Sequence, residues 1–298
     1  MKLSVYTPPL TKRVLIIGLS GTGKSTLAAQ MAEEGYNLIW LNIENAADTL
    51  VKLSDEAKER IDLINIPDSA SYPIAAQTLL TLFKNGRANI CDLHGKDACP
   101  VCAKTPGAII SPVDFSKMTE KDILVLDTGT QLSYSIMAYT MKDKSVETKP
   151  ERDDWGALRK YTEFFKSQFQ GFRGNLIVTA HCQEAELEDG GVKLVPSFGS
   201  AGMSASFASA FDCVVYTEIK NGKHRAFSKS TASPKVLTRS RGDFEIEKQE
   251  KLSLVNLFNG TAKAVNPMIL NSPGEVAVKS LSGLAAKFAT NARGVPKP

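Results

Sequence analysis

Short runs of consecutive apolar residues alternate along most of the chain with stretches whose apolar positions recur every three or four residues. The runs 14–17 (Val-Leu-Ile-Ile), 37–43, 63–66, 123–126 and 176–180 contain β-branched members and predict strands buried on both faces. Helical spacing predicts helices over 24–34, 46–60 and 72–84, the last stopped by Asn85-Gly86. A longer helix near 155 puts Trp155, Leu158, Tyr161, Phe165 and Phe169 on one face, the spacing of a stripe packed into a core. Segments 214–217 and 224–228 flank Asn221-Gly222, a favoured hairpin dipeptide. Repeated strand–helix alternation predicts an α/β fold with a mainly parallel sheet and helices on both faces. The pattern weakens beyond about 250, where one short helix is expected over 280–290 before a loose end at 294–298.

Between the first run and the first helix lies Gly18-Leu19-Ser20-Gly21-Thr22-Gly23-Lys24-Ser25, which fits G-x-x-x-x-G-K-[ST]. Glycines let backbone N–H groups turn inward and cradle phosphate oxygens at a helix N-terminus. The expected phosphate-binding residues are Gly18, Ser20, Gly21, Thr22, Gly23, Lys24, Ser25 and Thr26. Lys24 would meet the β- and γ-phosphates of ATP, and Ser25 would ligate magnesium. Asp127 ends the run 123–126, where a carboxylate can hold the magnesium shell through water. Glu44 follows the run 37–43, where a carboxylate can orient a water for in-line attack; charge at the start of the next helix is its alternative reading. His181 ends the run 176–180, placed to report the state of the γ-phosphate or to serve as an ordinary hydrogen-bonded histidine.

Residues 87–117 interrupt the alternation and carry Cys91, His94, Cys99 and Cys102. Three thiolates and an imidazole are the ligand set of a closed structural zinc site, with unligated thiols or an iron–sulfur cluster as the alternatives. In Cys99-Pro100-Val101-Cys102 the proline pre-bends the chain and leaves two N–H groups for the sulfurs. A metal there would hold an insertion too short and polar to have its own core. Cys182 and Cys213 lie in apolar runs and read as small hydrophobes.

An ordinary share of apolar and charged residues excludes collagen, a wholly disordered chain and a disulfide-stapled miniprotein. No apolar run reaches membrane-spanning length, and the first nine residues lack an apolar stretch, so a cytoplasmic location is expected. The net charge of +4 indicates no partner by itself. Its distribution says more: residues 219–242 hold Lys220, Lys223, Arg225, Lys229, Lys235, Arg239 and Arg241 with no Asp or Glu. Such a segment can bind nucleic-acid phosphates or form a solvated face. The tail also carries Lys279, Lys287, Arg293 and Lys297 without an acidic residue after 278.

The order of these features resembles a RecA-type ATPase over about 12–245. Leu41-Asn42-Ile43-Glu44-Asn45 is similar to the segment with that family's catalytic glutamate, and Leu124-Val125-Leu126-Asp127-Thr128 to its magnesium strand. Asp153-Asp154-Trp155-Gly156 and Gly199-Ser200-Ala201-Gly202 resemble the segments beside the two DNA loops. The short chain and the Cys/His insertion resemble the small phage-encoded RecA-core ATPases grouped with single-strand annealing proteins. That resemblance implies a RecA-like P-loop core over 1–250 with an extension over 251–298. It also implies magnesium-dependent ATP hydrolysis, single-stranded DNA as a partner in recombination or annealing, and self-association into a ring or filament in which Arg239 and Arg241 would be presented to a neighbour's ATP. The alternative is a nucleotide-switched adaptor or loader that binds a single-strand-binding or replication protein. His181 stands where the family has a sensing glutamine. The second-loop region holds Glu184, Glu186, Glu188 and Asp189 against Lys193, and 142–154 holds four basic and five acidic residues.

Overall fold

The computed structural model describes residues 11–69, 71–145, 147–186, 191–228, 235–240 and 253–258. All of them fall within the unit Met1–Gly260. The expected helix at 280–290 and the basic tail lie outside the described residues.

In chain order the elements are β1 (Arg13–Gly18), α1 (Lys24–Glu33), β2 (Asn37–Asn42), α2 (Asp55–Lys58), β3 (Ile61–Asn65), α3 (Ile74–Asn85), β4 (Arg87–Cys91), β5 (Ile110–Asp114) and β6 (Asp122–Asp127). There follow α4 (Gly129–Thr140), α5 (Arg152–Gly171), β7 (Asn175–Ala180), β8 (Cys182–Glu186), β9 (Val192–Pro196) and α6 (Ala201–Phe207). The described remainder is β10 (Cys213–Lys220), β11 (Lys223–Phe227), β12 (Arg239–Ser240) and α7 (Val255–Phe258).

The main sheet runs β11-β10-β1-β7-β6-β2-β3, with β12 also pairing β10. From β10 to β3 every neighbouring pair is parallel, whereas β11 and β12 are antiparallel to β10. Alternate residues of each central strand feed different cores. Leu15, Ile17, Leu124, Leu126, Leu176 and Val178 face α3, α4 and α5, whereas Val14, Ile16, Ile123, Val125 and Ile177 face α1, α2 and α7. Burial on both faces is why these strands read as continuous apolar runs. On the first side a chain of aromatic contacts links Phe83, Phe165, Phe169, Phe207 and Phe211.

Several expectations change. The helix expected over 46–60 is instead a 3₁₀ turn at Leu50–Lys52 followed by α2. Leu53 is extended, and the Ser54 hydroxyl starts a new helix by accepting from Ala57 N at 3.2 Å. The helix α4 was not expected; its start is marked by Thr128, whose hydroxyl accepts from Gln131 N at 3.1 Å. Trp155 does not join the core, being 47% exposed, while Leu158, Phe165 and Phe169 of the same helix are buried. The insertion is a β4–β5 hairpin, and the second-loop region contains the β8–β9 hairpin. The Asn221-Gly222 turn forms with φ of 53° and 71°, the left-handed pair such a two-residue hairpin requires. No helix among the described residues is long and apolar enough to cross a membrane.

Candidate functional site

Parallel register puts the ends of β1, β7, β6 and β2 along one edge of the sheet. Gly18 pairs with Thr217, and Asn42 with both Asp127 and Asn65. The loop between β1 and α1 therefore begins beside the strand ends that carry the expected polar residues. Loop geometry calls for glycine at Gly23, which has φ 95°. A Cβ at Gly18 would lie 2.3 Å from Thr217 Oγ1 and 2.6 Å from the Thr217 carbonyl oxygen. The Thr22 and Thr217 hydroxyls are 2.8 Å apart, so β10 braces the loop from behind.

Together these elements enclose a cleft of about 400 Å³ whose walls include Ser20, Gly21, Gly23, Lys24, Ser25 and Thr26. Glu44, Thr49, Lys52, His181 and His224 complete it. Lys24 is 6% exposed and its Nζ donates to Leu19 O at 2.9 Å. Burial lowers its pKa, against the opposing influence of the Glu44 and Asp127 carboxylates. Asp127, 1% exposed, accepts from Thr179 Oγ1 at 2.5 Å and from Ser25 Oγ at 3.2 Å. Burial pushes its pKa up, and the two hydroxyl donors partly offset that push.

Glu44 lies just past the end of β2. Backbone N–H groups of Ile43 and Glu44 both donate to Asp127 O, at 2.8 and 3.2 Å, which ties the loop to the end of β6. The Glu44 carboxylate accepts from His181 Nε2 at 3.3 Å. That hydrogen bond is the main reason its pKa is lowered, with burial acting the other way. His181 N in turn donates to Thr130 Oγ1 at 2.9 Å, which holds the ring's backbone in place.

Lys24 and Ser25, at the end of the loop, thus converge with Asp127, Glu44 and His181 from three different strand ends. The donor set suits a nucleotide triphosphate with magnesium: a glycine cradle, a buried ammonium, and a hydroxyl hydrogen-bonded to a buried carboxylate. His224 was missed by sequence reasoning. The β10–β11 hairpin brings it over the loop, where Nδ1 lies 3.0 Å from Thr22 O and 3.2 Å from where a Gly23 Cβ would stand. A carbonyl only accepts, so Nδ1 carries the proton in this contact. Its neighbours Lys223 and Arg225 gave it the look of part of a basic stretch, with no signal for a site.

Arg239 lies elsewhere in the chain. It pairs with Val214, three residues or roughly 10 Å down β10 from Thr217, and its Nη1 donates to Ser209 O at 3.2 Å. It does not reach the chain's own phosphate loop. Arg241 lies outside the described residues.

At the tip of the β4–β5 hairpin the ligand atoms of Cys91, His94, Cys99 and Cys102 all lie within 4.8 Å of one another. His94 Nδ1 is 3.1, 3.6 and 3.9 Å from the sulfurs of Cys102, Cys99 and Cys91. A tetrahedral zinc with these ligands has edges of about 3.5–3.8 Å, so the cluster has the donors and the size to hold it. Backbone N–H groups of Cys102 and Val101 point at Cys99 and lower its thiol pKa, as the bent Cys-Pro-x-Cys segment anticipates. Burial raises that of Cys102. Cys182 and Cys213 are pushed up to about 12 by burial, in keeping with packing roles.

The tip docks on the rest of the fold through Gly95, whose carbonyl accepts from Thr78 Oγ1 at 2.6 Å and whose Cβ position would meet the Ile66 backbone at 2.7 Å. A polar relay continues from there to the loop that carries Glu44. Asn65 Nδ2 donates to Asp92 at 3.0 Å, Asn42 Nδ2 to Asn65 Oδ1 at 2.9 Å, and Ala46 N to Asn42 Oδ1 at 3.3 Å.

Comparison with known families gives one match: residues 10–241 are similar to the family described as AAA domain. A search of curated proteins found none that matches the chain.

Proposed function

The chain belongs to the AAA domain family, whose match covers most of its length, and from that premise we propose that it is a magnesium-dependent ATPase acting on single-stranded DNA. The observation that carries the ATPase reading is that Lys24, Ser25 and Glu44 line one cleft, with Asp127 hydrogen-bonded to Ser25. When bound, ATP would supply the phosphoryl group and magnesium the positive charge that offsets the charge on its phosphates. Backbone N–H groups of the loop and Lys24 would bind the phosphates. Ser25 and Asp127 would hold the metal shell. Glu44 orients the attacking water, and His181 keeps that carboxylate ionised and aimed. A zinc ion on Cys91, His94, Cys99 and Cys102 has a structural part only, since four protein ligands leave no open position.

Work on single-stranded DNA in recombination or annealing is the finer part of the proposal. Its support is the excess of positive charge on the hairpin and its flank, where Lys220, Lys223, Arg225, Lys235 and Arg239 stand among the described residues against Glu218, which faces Arg225 across the hairpin. Arg239 and Arg241 are candidates to reach a neighbouring copy's ATP in a ring or filament, because Arg239 does not reach its own. The second reading, a nucleotide-switched adaptor for a replication or single-strand-binding protein, is favoured by Glu184 and Glu186 on β8, which would repel a phosphate backbone. Steady-state hydrolysis with and without single-stranded DNA separates the two. A rate that DNA raises and Glu44→Gln abolishes supports the first reading; a low rate indifferent to DNA supports the adaptor.

A further inference from the structure

Away from the nucleotide cleft, the outer face of the helical layer carries a groove of about 710 Å³ between α3, the end of α4 and α5. Lys84, Lys142 and Lys160 stand around it and no carboxylate lines it. Among the described residues none of the three lysines is in an ion pair. The carboxylate one turn along α5 from Lys160, Glu163, turns to Lys166 at 3.5 Å and lines the adjoining hollow instead. Asp143 follows Lys142 in the chain but does not line the groove.

The floor is aromatic. Tyr139 and Tyr161 meet edge to face with centroids 5.6 Å apart, Phe164 lies beside them, and Lys142 Nζ stands 4.9 Å from the Tyr139 centroid. All three rings are half-buried, so each keeps some area open to a ligand. Three ammonium groups around one groove with no carboxylate in its lining leave it positive, and an anion there is attracted. Ammonium groups on the rim with ring faces between them are what a strand of phosphates and bases calls for, because the backbone needs charge and every base offers a π-face.

We propose that this groove binds single-stranded DNA, Lys84, Lys142 and Lys160 contacting phosphates and Tyr139 and Tyr161 packing against bases. The inference rests on the nucleic-acid part of the proposed function and deepens it. It places the strand where charge is unopposed and away from Glu184 and Glu186 of the β8–β9 hairpin. An acidic protein segment would satisfy the lysines but makes no use of the rings.

The test is fluorescence anisotropy of labelled oligo-dT with the full chain over a range of salt, for wild type, Lys84→Gln, Lys142→Gln, Lys160→Gln, their triple combination, and Tyr139→Leu with Tyr161→Leu. Each lysine that contacts a phosphate contributes about 0.7 to the slope of log K against log salt, so the triple variant loses about 2 of it. Loss of the rings weakens binding by roughly 5- to 150-fold, the range of about 1–3 kcal/mol for one stacked base. Nucleotide binding stays unchanged, since none of these residues lines the cleft; the single variants carry the test if a combined one folds poorly. Wild-type binding with an unchanged slope in every lysine variant overturns this groove and leaves the DNA reading standing. No binding of oligo-dT by the wild type overturns both. Displacement of the DNA by poly-glutamate, together with indifference to the tyrosine changes, overturns the proposal in favour of an acidic protein partner.

Discussion

Replacing Asn65 by leucine breaks the polar relay between the Cys/His hairpin and the loop that carries Glu44. Donor directions along it are forced at both ends. Ala46 N is a donor, so Asn42 turns Oδ1 to it and Nδ2 to Asn65; the Asp92 carboxylate is an acceptor, so Asn65 turns Nδ2 that way. Leucine is close in volume and removes both bonds of Asn65 without opening a large cavity. The Asn42 donor is then stranded, because Asn42 is 2% exposed. A buried unsatisfied donor costs about 1–3 kcal/mol, and the half-buried Asp92, which water can reach, adds about 1 kcal/mol. The expected loss is about 2–3 kcal/mol in urea unfolding of the zinc-loaded protein at constant m. Asp92→Ala removes only the outer bond and should cost about 1 kcal/mol. If zinc is held by the same hairpin, Asn65→Leu also speeds its release to a chelator. Equal costs for the two variants, or less than about 0.5 kcal/mol for Asn65→Leu, would refute the idea that the relay is continuous and buried.

Glu44→Gln should lower kcat by at least about 100-fold while ATP still binds, whereas Lys24→Ala should lose ATP binding itself, which calorimetry distinguishes. The His181 hydrogen bond lowers the Glu44 pKa, so the charged carboxylate persists as pH falls until that lowered pKa is reached. His181→Ala should therefore shift the acid limb of the kcat profile to higher pH, and an unmoved limb would remove His181 from that role. Asp154 has a lowered pKa, chiefly through Lys144, whose Nζ donates to it at 2.7 Å, and also accepts from Glu151 N at 2.7 Å. Its stabilisation is present above the unfolded value of about 4 and is lost as pH falls through the folded pKa. Asp154→Asn should be less stable than wild type at neutral pH and converge with it in acid, as followed by thermal unfolding. Phe169→Ala should cost about 3–5 kcal/mol in the same assay, since Phe169 is fully buried among Phe83, Phe165, Phe207 and Phe211.

The central strands and the phosphate loop were legible because their signals are local. A strand buried on both faces must be apolar at every position, and the run 14–17 is. Glycines and a lysine at fixed offsets are demanded by the loop's own backbone, as the φ of 74° at Gly21 and 95° at Gly23 bear out. Asp127 and Glu44 were found by one further step, that a residue just past an apolar strand stands at the sheet edge. The Cys/His cluster was legible from ligand type and spacing within twelve residues.

What stayed hidden depends on partners far along the chain. Helical spacing over 46–60 gave no warning that the Ser54 cap, braced by Glu33 at 2.7 Å, would start a separate helix. Trp155 shares a helical stripe with Phe165, yet Phe165 is buried against Phe83 and Phe169 while Trp155 lines an open hollow with Met203 and Ser206, and only the packed molecule decides which part of a stripe is covered. His224 reaches Thr22 across 202 residues, and the Asn42–Asn65–Asp92 relay joins three segments whose adjacency is a property of strand order. The lysine groove likewise exists only once α3, α4 and α5 lie side by side. Backbone geometry and ligand chemistry act over a few residues and are written in the order of the chain. Contacts among surfaces are decided by which faces the packed sheet brings together, and only the folded molecule does that.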